Sequence, residues 1–90
     1  MVLEIKKFGD VLSSRSAGRE AALVTLSYFT KNKKDHNLEI DFTDILVMTP
    51  SWLSEFVQTL QEKSFLQIKF LKSDNPSVVS SIAVILDEIK

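Results

Sequence analysis

Thr49 and Ser51 flank Pro50 where a short apolar run, 45–48, gives way to a helical pattern, so the chemistry open to their hydroxyls is that of a helix start. The first backbone N–H groups of a helix are unpaired and carry partial positive charge, so a hydroxyl there caps the helix, helps hold an anion, or accepts a phosphoryl group. Capping alone accounts for both residues; anion binding and phosphorylation are the readings that would make them functional. Asp41 and Asp44 lie just upstream and could hold Mg²⁺ or act as acid and base, but Asp at such corners mainly bonds nearby N–H groups of the turn. Arg15 stands near the expected start of an earlier helix, where a cation opposes the dipole. It should therefore reach an acidic side chain, as a buttressing salt bridge, or a bound anion. His36, the one histidine, sits in a polar stretch with no partner for catalysis or metal binding and is assigned no role.

Nothing else in the sequence carries reaction chemistry. There is no Gly-rich phosphate loop, Ser-His-Asp order or metal-ligand spacing, and two glycines are too few for a nucleotide cradle. The expectation is a protein that is not an enzyme and uses neither cofactor nor metal. With no cysteine, disulfides and thiolate chemistry are excluded, which fits a reducing compartment and makes the cytoplasm the default. Eleven basic and twelve acidic residues give a net charge of −1, without the surplus that drives nucleic-acid binding. The basic run 31–34 is followed by Asp35 and His36 and reads as a solvated connection. Apolar stretches at 45–48 and 82–86 fall far short of the roughly 20 residues of a membrane span. Residues 1–10 lack the apolar core of a signal peptide, so a soluble and complete chain is expected.

The elements that must position the Thr-Pro-Ser junction follow from apolar periodicity. Ninety residues make a single domain over 1–90. Residues 2–8 predict a short strand, and Ser13, Ser14 and Ser16 offer caps for a helix running to about residue 31, with Ala17, Ala21, Val24, Thr25, Tyr28 and Phe29 on one face and Leu23 exposed. Its alanines should let it lie close to a sheet. Leu38, Ile40 and Phe42 alternate with Glu39 and Asp41 as a second strand. Thr49 then caps a helix with Pro50 at its first position and Leu53, Phe56, Val57 and Leu60 facing inward. That phase sets Ser51, Glu55, Gln58 and Glu62 outward and leaves Trp52 at the rim beside Thr59. A third strand at 65–71 leads to Asn75-Pro76, which repeats the capping device before a helix carrying Val78, Val79, Ile82, Ile85, Leu86 and Ile89. The order β-α-β-α-β-α predicts a small α/β domain with a mostly parallel or mixed sheet covered by helices.

The segment 41–56, Asp-Phe-Thr-Asp-Ile-Leu-Val-Met-Thr-Pro-Ser-Trp-Leu-Ser-Glu-Phe, resembles the signature of STAS-like bacterial domains of unknown function: Asp-Phe, a small apolar strand, a Ser/Thr-rich turn, an aromatic, and a helix whose first turn bears Glu. Phe8-Gly9-Asp10 and Ser14-Arg15 before an Ala-rich helix are similar to the same family's N-terminal pattern. More distantly the segment resembles anti-sigma factor antagonists, whose serine at this helix start is phosphorylated by a GHKL-type kinase. Here Pro50 falls on the phospho-acceptor position, so a switch would be lost or would have moved to Ser51 or Thr49, and Trp52 replaces the glycine that usually follows.

The resemblance implies a non-catalytic cytoplasmic signalling module. It would bind a GHKL-type ATPase or kinase, or an anti-sigma-like protein, through Thr49, Ser51, Trp52, Glu55 and Thr59, with phosphorylation as a possible control. Two other readings are a small-ligand or anion sensor at the starts near Thr49 and Asn75 with Arg15 as counter-charge, and a self-associating subunit joined through Trp52 or an edge strand. No pattern in the sequence fixes the oligomeric state.

Overall fold

The computed structural model describes residues 1–31, 37–64 and 67–88. The elements in chain order are β1 (Val2–Glu4), a 3-10 turn (Ile5–Phe8), β2 (Val11–Leu12), α1 (Arg15–Lys31), β3 (Asn37–Asp41), β4 (Val47–Met48), α2 (Pro50–Lys63), β5 (Gln67–Phe70) and α3 (Pro76–Glu88). This is the expected α/β alternation, and every strand pair among the described residues is parallel. The basic run at 32–34, His36 and Ile89 lie outside the described residues.

The strands form three tracks, two of them broken. β1, β3 and β5 make one three-stranded sheet in that order, and β2 with β4 make a two-stranded continuation. The first track is interrupted by the 3-10 turn and Gly9, whose φ of 118° is a region side chains seldom enter; the second is interrupted at 42–46, where Asp44 has φ 65°. Because both breaks occur at the same level, the strands pair again afterwards, with Val11 opposite Val47 and Leu12 opposite Met48. The Asp10 carbonyl accepts from the Leu46 and Val47 N–H groups, and Lys6 lies 3.6 Å from Asp44 across the gap. What reads as one uneven strand over residues 2–8 is therefore one short strand and a 3-10 turn, with a second short strand following at Val11–Leu12.

Both α1 and α2 link neighbouring parallel strands in the same direction, so right-handed crossovers set them on one face of the sheet. There they pack on each other. Leu3, Leu38 and Ile40 point into the core they cover, while Val2, Glu4, Asn37, Gln67 and Lys69 lie on the exposed side. α1 is rotated from its expected phase: Ala21, Ala22 and Thr25 are buried, whereas Val24 and Tyr28 are exposed. The close approach its small residues permit is to α2 and not to the sheet. Gly18 meets the first turn of α2, where a Cβ would collide with the Trp52 carbonyl group, its carbon only 3.1 Å away. Tyr28 instead meets Lys7, whose ammonium donates to the phenol at 3.0 Å and lies over the ring.

The third track does not continue past β5. α3 turns in beside β4 and completes its open edge with side chains. Met48 donates its N–H to Ser77 Oγ at 3.2 Å, and the Ser81 hydroxyl donates to the Met48 carbonyl at 3.2 Å and to the Ser77 carbonyl at 2.7 Å. Asn75 Nδ2 donates to the carbonyls of Ile45 and Leu46. Its Oδ1 caps α3 from the Ser77 and Val78 N–H groups, as the Asn-Pro pair predicts. Val78 and Ile85 are buried by this docking, but Val79 and Leu86, expected on the same apolar face, are exposed.

Candidate functional site

The start of α2 is locked from three directions. Thr49 is extended, with φ −107° and ψ 149°, and its Oγ1 accepts from the Trp52 N–H at 3.3 Å as an N-cap. The same hydroxyl donates to the Leu12 carbonyl at 3.3 Å, and the Thr49 N–H donates to that carbonyl at 3.0 Å, so the end of β2 and the beginning of α2 share one oxygen. Phosphorylating Thr49 would remove the proton that its hydroxyl donates to Leu12. Ser51, two positions on and partly buried, carries no such structural duty in the cap.

Ser51 and Glu55 stand one helical turn apart on the same face of α2. Glu55 is flanked by two guanidinium groups from α1, Arg15 at 3.8 Å and Arg19 at 3.9 Å. Arg15 is thus the buttressing salt-bridge residue, with Glu55 as its acid. Both arginines are about half-exposed or more, so each contact contributes only a few tenths of a kcal/mol. Two cations against one carboxylate leave the group with net positive charge beside a helix N-terminus. That combination suits an added anion.

Trp52 and Thr59 do not belong to this surface. Each is 1% exposed. The indole stacks on Phe56 at 5.0 Å and 13°, Phe8 tilts against both rings at 6.5 and 6.3 Å, and the Gly18 approach seals the backbone above. The physical reason is the one-sided crossover. α1 occupies the flank of α2 that helical phase alone leaves to solvent.

Bare apolar surface lies instead just upstream. On the two-stranded β2–β4 ribbon, Leu12 and Met48 point inward, while their neighbours Val11 and Val47 are 56% and 45% exposed and Leu46 is 65% exposed. The sequence signal for this was available: in a two-residue strand only one side chain can face the core.

The two upstream carboxylates do turn chemistry. Asp41 Oδ1 accepts from the Thr43 N–H at 2.9 Å and from the Thr43 hydroxyl at 2.6 Å, which holds the Asp41 carboxyl below its ordinary pKa. Asp44 turns to Lys6. Among the described residues no three His, Asp or Glu side chains converge as metal ligands. A shallow cleft of about 260 Å³ opens at the carboxyl ends of β3 and β5, between Thr43, Asp44, Lys72 and Asn75. Among the described residues no helix is long and apolar enough to cross a membrane. Comparison of the chain with protein-family models, with curated proteins and with solved structures finds no match in any of the three.

Proposed function

We propose that this chain is a non-catalytic, cytoplasmic regulatory domain that docks a signalling protein on the surface formed by the first turn of α2 and the outward side of the β2–β4 ribbon. The observations that carry this reading are the exposure of Val11, Leu46 and Val47, all about half-exposed or more, and the Arg15–Glu55 pair on the helix that follows β4 directly in the chain. Apolar residues rimmed by charge on rigid elements are the make-up of a protein-binding patch. A GHKL-type ATPase or kinase, or an anti-sigma-like protein, is the partner class to which the resemblance of 41–56 points.

Ser51 is the favoured phospho-acceptor over Thr49, whose hydroxyl is engaged in the cap. A phosphate adds about −2 charge next to Glu55, so Arg15 and Arg19 would turn from the carboxylate to the phosphate. The modification would thereby redraw the charged rim of the patch without moving the core.

The test combines binding and mass. A purified GHKL-type kinase is titrated against the wild type, Val47→Glu and Gln67→Glu, the last in β5, an edge strand of the three-stranded sheet. The expected result is a loss of at least about tenfold in affinity for Val47→Glu and none for Gln67→Glu. Intact mass after incubation with ATP should rise by one phosphoryl group in the wild type and not in Ser51→Ala. Equal binding by all three chains removes the docking surface, and an unchanged mass removes the switch.

A further inference from the structure

We infer that α3 is a releasable cover: it opens as one piece while the sheet, α1 and α2 stay folded, and its departure turns β4 into a bare strand edge. α3 stands where a strand is missing. In the first two tracks β1 is followed by β2 and β3 by β4, but no strand lies beside β4 on its other side. Val47 and Thr49 give their N–H groups to β2 and its flank, through the Asp10 and Leu12 carbonyls, so Met48 between them turns its own groups the opposite way. There Ser77 Oγ accepts the Met48 N–H, and the Ser81 hydroxyl donates to the Met48 carbonyl. Two serine side chains thus occupy the positions that the backbone of an added strand would take.

This seam is the weakest in the domain. The apolar side chains that α3 buries fully are Val78 and Ile85, with Ile82 in part, whereas α2 buries Trp52, Leu53, Phe56, Val57 and Leu60. Residues 75–86 carry no charge, so no ion pair ties that stretch to the rest. The described strand pairs join β1 to β3, β2 to β4 and β3 to β5, so releasing α3 breaks no ladder. Parts of a fold with few buried apolar contacts open at a lower free energy than the whole.

α3 leaves all at once. It has 13 residues, many of them Val, Ile and Ser, and isolated helices shorter than roughly 12–15 residues are marginal even when rich in alanine. Undocking and melting are therefore a single event, and the backbone freedom regained offsets part of the burial lost. This inference does not rest on the docking surface at the start of α2.

Native-state hydrogen exchange of the full chain, followed by NMR as urea is raised below the unfolding transition, reads the opening directly. The amides of 79–85 and of Met48 should converge on one line, with protection at least about tenfold below that of the β3 amides and at most about half their urea slope. Ile40→Val supplies a second reading, because Ile40 is packed both when α3 is docked and when it is released. The substitution should speed exchange of the β3 amides by about 2–10-fold and leave the α3 and Met48 amides at their wild-type rates. Convergence of α3 with β3 on one line, a Met48 amide that exchanges with β3 and not with α3, or equal acceleration of both sets by Ile40→Val would each overturn the inference.

Discussion

Gly18 of α1 and Trp52 of α2 meet backbone to backbone, with the Trp52 carbonyl filling the space a Cβ at position 18 would need. This contact fixes how closely the two helices lie and hides the indole beneath α1. Gly18→Ala cannot be relieved by a side-chain rotation, since the obstacle is main chain. It should destabilise the domain by about 2–3 kcal/mol, read as a shift in urea midpoint without change of slope. Gly9→Ala makes the complementary case: the site is open, but φ 118° and ψ 169° penalise any side chain, and about 1–3 kcal/mol is expected from backbone strain alone.

Burial of Trp52 predicts its spectroscopy. The single tryptophan should emit at short wavelength and resist acrylamide quenching until the domain unfolds. Trp52→Ala should cost about 3–5 kcal/mol, because it removes the centre of the Phe8–Trp52–Phe56 cluster. Emission that is red-shifted and freely quenched in the native chain would return the indole to the surface.

The Ser81 hydroxyl reaches both Met48 and Ser77 carbonyls from a fully buried position. Ser81→Ala should lower stability by about 1–3 kcal/mol, since the Met48 carbonyl would lose its partner. Hydrogen exchange supplies the local readout: the Met48 amide, held by Ser77 Oγ, should lose protection before the amides of β3 do.

For Asp41 the prediction concerns pH. The carboxyl is held below its ordinary value of about 3.9 by the Thr43 hydroxyl and N–H, the hydroxyl contributing more. Its contribution to stability is complete above the unfolded-state pKa and vanishes as pH falls through the lower folded-state value. Carboxyl NMR titration should place Asp41 below the ordinary aspartate value. Thr43→Ala should bring it back toward that value and flatten the acid limb of the stability curve.

At Ser51, a negative charge faces the electropositive start of α2. Ser51→Asp should raise stability by about 0.3–1 kcal/mol at low salt, Ser51→Lys should lower it by a similar amount, and the difference should shrink at 1 M salt.

Local signals carried much of this fold. Thr49-Pro50 and Asn75-Pro76 each start a helix where capping chemistry places them, and Leu53, Phe56, Val57 and Leu60 form the buried line that their spacing predicts. The rest depended on which elements become neighbours. Trp52 and Thr59 sit at the edge of the apolar arc when α2 is considered alone, and only the arrival of α1 on that flank buries them. The rotation of α1 has the same origin, for Gly18 and Ala22 face inward because α2 comes too close for Val24 or Tyr28. Val79 and Leu86 misled for the opposite reason: apolar side chains spaced for burial need a surface to be buried against, and α3 buries Val78, Ser81 and Ile85, with Ile82 in part, but leaves these two outside.

The serines that line α3 make that helix a stopper as well as a cover. A strand end whose amide and carbonyl are satisfied by hydroxyls has nothing left with which to recruit a foreign strand. Fragments ending before residue 76 would carry β4 uncorked, and chain-to-chain growth into fibrils is the fate their backbone invites.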